Sequence, residues 1–80
     1  MIMIDFKTVM QRIREILISQ EKKKKILDRE IASALHLDPQ YFAVIKKRNK
    51  IPYEAIAHFC EEQHVNMNWI LLKQEPTYLT

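Results

Sequence analysis

Between residues 28 and 47 the chain reads DREIASALHLDPQYFAVIKK, and its apolar residues fall where two short helices crossing at a steep angle would bury them. Ile31 and Leu35 share a helical face by i,i+4 spacing, and Phe42 and Ile45 do so by i,i+3 spacing. Ala32 is small where the two helices would approach most closely, and Leu37 sits in the turn between them. Asp38 caps the second helix and Pro39 takes its first position, where a missing N–H costs nothing. Burying this set leaves Gln40, Ala43, Val44 and Lys47 outward on the second helix, a strip of the width that enters a DNA major groove.

The rest of the chain supplies packing partners. Asp5 caps a first helix running to about Ser19, with Phe6, Val9, Met10, Ile13, Ile16 and Leu17 on its apolar side and Arg12 and Arg14 away from it. The lysine-rich segment 21–25 ends that helix. Asp28 is expected to cap the second helix, to Leu35, and the third is expected to end near residues 48–50. Ile51-Pro52 breaks the chain, because the residue before proline avoids helical geometry. A fourth helix then runs from Pro52 to about His64, burying Ile56, Phe59 and Cys60. Asn66 or Asn68 caps a short fifth helix carrying Trp69, Ile70 and Leu72, with the Trp69 ring the largest block of the C-terminal core. Residues 73–80 are expected to be a frayed end or the start of a linker. Eighty residues, 48% apolar and without a glycine, therefore predict one all-α domain, a five-helix bundle over residues 1–80 with its helix-turn-helix at about 28–47.

Charge is unevenly placed. Residues 21–50 hold nine Lys/Arg against four Asp/Glu, whereas residues 51–80 hold one against four. The positive charge thus gathers on the two-helix motif, where a polyanion would sit. A single cysteine makes no internal disulfide, which places the chain in a reducing cytoplasm. No apolar run approaches the length that spans a bilayer, and the first residues lack a basic start and a long apolar stretch.

Catalytic and metal chemistry find little to work with. Cys60 and His64 have i,i+4 spacing, but His58 lies six residues from His64, so the three cannot converge on a metal. Cys60 fits better as a small buried hydrophobe. Glu61/Glu62 and Asp28/Glu30 diverge on a helix and form no acid–base pair. A chain without glycine builds no phosphate-cradling loop. The sequence calls for no enzyme activity, no cofactor and no small-molecule ligand.

The order apolar–small–x–x–Leu–x–apolar, the helix after it, and then IPYEAIAHFCEEQHVNMNWILL resemble the DNA-binding domain of phage CI-type repressors, in the lambda-repressor-like, Cro-like helix-turn-helix group. The resemblance covers about residues 27–72. It implies a transcription regulator, a repressor that binds double-stranded DNA as a homodimer on a two-fold operator and blocks polymerase sterically. It also implies that Pro39, Gln40, Ala43, Val44 and Lys47 face base edges, and that Asp28 and Arg29 lie where the family touches phosphate. Lys22, Lys23, Lys24, Lys25, Arg29, Lys46, Arg48 and Lys50, with the Tyr41 hydroxyl, are the expected backbone contacts; Tyr53 is a further candidate for phosphate contact or core packing. The turn position that is usually glycine is His36, whose φ is expected to be positive at a cost of about 1–2 kcal/mol. Histidine is among the side chains that tolerate this best. Proline offers no hydrogen bond to a base, so Gln40 is the main polar reader, suited to adenine N6/N7. Ala43 and Val44 suit thymine methyls, and Lys47 suits guanine or phosphate. The alternative use of the same fold is a helical protein–protein interaction module, adaptor or antitoxin-like, docking a partner on the groove face.

Overall fold

Five helices follow one another in the computed structural model, which describes residues 3–79: α1 (Phe6–Glu21), α2 (Asp28–Ala34), α3 (Pro39–Lys47), α4 (Tyr53–Gln63) and α5 (Met67–Leu72). Met1, Ile2 and Thr80, the ends of the expected domain, lie outside the described residues. The chain folds as an all-α bundle, as its periodicity predicts.

Helices α1, α3 and α5 each begin at a side chain that accepts from one of their free N–H groups. The Asp5 carboxylate accepts from the Thr8 N–H at 2.7 Å. Asp38 accepts from the Gln40 N–H at 2.7 Å, with Pro39 next to it in the first helical position. Asn66, rather than Asn68, caps α5 by accepting from the Asn68 N–H at 3.1 Å. Asp28 does not cap α2. The N-cap is Leu27, whose N–H donates to Glu30 Oε2 at 2.7 Å. A glutamate three residues into the helix reaches back to the cap residue and frees Asp28 for contacts across the bundle.

Helix ends are set by backbone geometry that usually calls for glycine. Lys22, His36, Asn49, His64 and Lys73 all have φ between 53° and 58°. The sequence anticipates this at His36 alone. Three of the five directly follow α1, α4 and α5, so the left-handed residue that closes a helix is supplied by lysine and histidine. α1 accordingly runs two residues beyond the expected Ser19.

One buried cluster unites all five helices. Ile31, Ala32, Leu35, Phe42 and Ile45 are buried as the spacing requires, while Leu37 is half-buried at the cluster's edge. Ala32 is fully enclosed. Phe6 of α1 meets Phe42 of α3 edge-on, with ring centroids 5.3 Å apart, a geometry favoured by the ring quadrupoles. Trp69 is buried in the C-terminal part of the core beside the fully enclosed Phe59 and Ile70. Ile26, Ile51 and Val65, from the segments between the helices, complete the cluster.

Two long-range ties fix α1 against the rest. The Arg12 guanidinium donates to the Ile70 carbonyl at 2.9 Å. Asn49 Oδ1 accepts from the Phe6 N–H at 2.8 Å. The C-terminal segment, expected to fray or to lead into a linker, is instead pinned as far as residue 79. The Asn66 N–H donates to the Thr77 carbonyl and the Leu79 N–H to the His64 carbonyl, each at 2.8 Å, and Val65 pairs with Tyr78. The Asn66 side-chain amide also donates to the Gln74 and Pro76 carbonyls. One asparagine thus caps α5 and holds the strand-like tail beside it.

Candidate nucleic-acid interface

α3 buries Phe42 and Ile45 and turns its other sides outward. Pro39, Gln40, Ala43, Val44 and Lys47 are all exposed, Val44 to 46%. The turn before α3 is built as expected: His36 has φ 57°, and the Leu37 N–H donates to the Ala32 carbonyl at 2.8 Å. This bond closes α2 and sets the angle at which α3 leaves. Lys46 and Lys47 lie in the last turn of α3, where cations complement the helix dipole.

The expected phosphate-contacting cations divide into two groups. Lys23 Nζ pairs with Glu30 Oε1 at 2.6 Å, and Lys46 Nζ with Asp28 Oδ2 at 2.6 Å. Among the described residues, Lys22, Lys24, Lys25, Arg29, Lys47, Arg48 and Lys50 make no ion pair and stand exposed. Asp28 sits at the centre of the basic region. Lys24, Lys25 and Arg14 line a hollow on one side of it, and Arg29, Lys46 and Lys47 line a notch between α2 and α3 on the other. Hydrogen bonding to Lys46 and the charges of Lys46 and Arg14 hold the Asp28 carboxyl below its usual range. Glu30 is lowered by the Leu27 N–H and by Lys23, which is itself raised by that pairing.

Arg14 escapes a reading of the sequence as anything but an off-stripe residue of α1. Its guanidinium donates to the Ile26 carbonyl at 3.1 Å, to Gln11 Oε1 at 3.3 Å and to Asp28 Oδ1 at 2.9 Å. It thereby ties the basic 22–25 loop and the start of α2 to α1. Its position off the apolar stripe was visible in the sequence; its partners, 12 and 14 residues away, were not.

Tyr41 is 45% exposed and belongs to a different surface. With His36, Leu37 and Tyr53 it lines a groove against α4, whose other wall carries Glu54, His58, Glu61 and Glu62. Tyr53 is likewise exposed rather than core. The two faces of the motif therefore differ in sign, basic around α2 and the C-terminal half of α3, acidic along α4.

Cys60 lies in the core, and burial pushes its thiol up to about 11, so it stays protonated and unreactive at neutral pH. Among the described residues, no three His, Cys, Asp or Glu side chains come together to hold a metal ion.

The family model of the bacteriophage CI repressor helix-turn-helix domain matches residues 13–78. The chain belongs to that family. The match takes in the motif, the acidic fourth helix and the pinned tail, and it extends beyond the 27–72 stretch that carries the resemblance in the sequence. A phage CI repressor domain is a DNA-binding regulator. No helix among the described residues is long and apolar enough to cross a membrane. No curated protein and no solved structure matches the chain significantly.

Proposed function

We propose that this phage CI repressor domain binds double-stranded DNA sequence-specifically in the cytoplasm and represses transcription, without catalysis, by occupying an operator that polymerase must cross. What carries the proposal is the strip Gln40, Ala43, Val44 and Lys47, exposed on α3 directly opposite its buried Phe42 and Ile45. With α3 in the major groove, Gln40 reads adenine, Ala43 and Val44 contact thymine methyls, and Lys47 reaches guanine or phosphate. Pro39 packs against a base edge at the helix start. The basic residues around the start of α2 and the end of α3, among them Arg29, Arg48 and Lys50, meet the flanking phosphates.

Two copies related by a two-fold axis would read a palindrome with half-sites about one helical turn apart. Selection of binding sites from a random pool of duplexes tests this. A recovered two-fold consensus containing an A·T pair in each half supports the proposal. Recovery of an unselected pool, with no salt-dependent affinity for any duplex, refutes it and favours a protein-docking role for the same surface.

A further inference from the structure

The carboxylate at the start of α2 faces the wrong way for a protein that meets phosphate there. Asp28 is surrounded by cations, and its two oxygens are both taken: Oδ1 by Arg14 at 2.9 Å and Oδ2 by Lys46 at 2.6 Å. Arg14 is fixed by two further bonds, to the Ile26 carbonyl and to Gln11. Lys46 makes no other ion pair among the described residues and is more than half exposed. It projects from the turn of α3 that follows Ala43, beside the notch it shares with Arg29 and Lys47. An anion bound between Arg14 and Lys46 would lie against this notch, where the first turn of α2 meets α3.

We infer that Arg14 and Lys46 form an anion site for a DNA backbone phosphate, and that in the free protein the Asp28 carboxylate occupies it as an internal counter-ion. This rests on the DNA-binding reading above and adds a regulator of its strength. A phosphate approaching Lys46 must displace Asp28 rather than a dissolved counter-ion. The exchange of one anion for another releases fewer ions into solution than binding to a free lysine, and the displaced carboxylate remains nearby to repel the phosphate. Asp28 therefore holds sequence-independent affinity down, and with it the tendency of a small basic domain to stay on non-operator DNA.

Asp28→Asn tests the inference, since the amide oxygen still accepts from Arg14 while the charge is gone. Binding to a random-sequence duplex, measured across salt concentrations, should show a slope steeper by about 0.9 and affinity roughly five- to tenfold higher near 0.1 M salt. In the double variant Asp28→Asn/Lys46→Gln the gain should vanish. A gain of equal size in the Lys46→Gln background would show that Asp28 merely repels DNA at a distance and would overturn the inference. Inorganic phosphate gives a readout without DNA: at matched ionic strength it should raise the unfolding temperature of Asp28→Asn and leave the parent unmoved. Equal shifts in both proteins overturn the anion site. Failure of every variant to bind DNA would overturn the proposed function alone, because the phosphate measurement still decides the site.

Discussion

A chain with no glycine that places five of its described residues at positive φ stores strain that a single substitution can release. His36 and His64 are the clearest cases. Both are exposed, with φ 57° and 56°, and both close a helix or a turn. A left-handed conformation costs a residue with a Cβ about 1–2 kcal/mol. Glycine removes that cost but loses about 0.4–1 kcal/mol through the greater freedom of the unfolded chain. Each histidine-to-glycine change should therefore stabilise by about 0.5–1 kcal/mol. Among the described residues, the polar side-chain contact His36 forfeits is an exposed one to Glu62 at 3.3 Å, which contributes little in water. The double variant His36→Gly/His64→Gly should gain about 1–2 kcal/mol, or roughly 5–10 °C in unfolding temperature. Asn49 provides the contrast. Its φ is 53°, but its side chain accepts the Phe6 N–H at 2.8 Å, and asparagine already tolerates the conformation. Asn49→Gly should cost about 1–2 kcal/mol, the hydrogen bond plus the entropy of glycine. His36→Val should also destabilise, since a β-branched side chain tolerates positive φ worst. Urea unfolding of the five variants beside the parent decides the matter. If glycine at 36 and 64 costs more than about 1 kcal/mol, or valine at 36 is neutral, backbone strain does not govern these positions.

Other outcomes follow from the same contacts. Phe42→Ala removes a buried ring that also packs edge-on against Phe6, and should lower stability by about 3–5 kcal/mol, read by circular dichroism during urea unfolding; a stable variant that only loses DNA binding would show that the ring faces the groove. Gln40→Ala should cost about 1–3 kcal/mol at a single operator base pair and leave random-duplex affinity unchanged, measured by competition binding. Replacing lysines 22–25 by glutamine should weaken binding to all duplexes alike and flatten a parental log K–log salt slope of roughly −4 to −5. Asp28, Asp5 and Glu30 have carboxyls held below their ordinary values by Lys46, by the Thr8 N–H and by the Leu27 N–H respectively. Their folded values lie below their unfolded ones, so they contribute stability above about pH 4 that is lost as the pH falls further. Thermal unfolding should show that loss, and Asp28→Asn should lessen it.

The sequence by itself determined where the helices lie and which side of each is buried. Caps at Asp5 and Asp38, proline at 39 and the break at Pro52 act on neighbours within three or four residues, and the 3.6-residue period marks the buried side without reference to any partner. The outward strip on α3 follows from the same period, because burying Phe42 and Ile45 leaves Gln40, Ala43, Val44 and Lys47 nowhere else to point. Even the left-handed turn at His36 was legible, through the motif it belongs to. Only the tertiary structure decided how the charges pair. Asp28 read as a cap because aspartate before an apolar period usually is one. Leu27 is the cap residue instead, its N–H held by Glu30, and the angle between α1, α2 and α3 then brings Arg14 and Lys46 to the freed carboxylate. The same holds for Asn49 on the Phe6 N–H, Arg12 on the Ile70 carbonyl and the tail held by Asn66, joining residues 43, 58 and up to 11 positions apart. Such contacts depend on where whole helices come to rest, and that is fixed by the summed packing of some nineteen buried side chains rather than by any short stretch of chain.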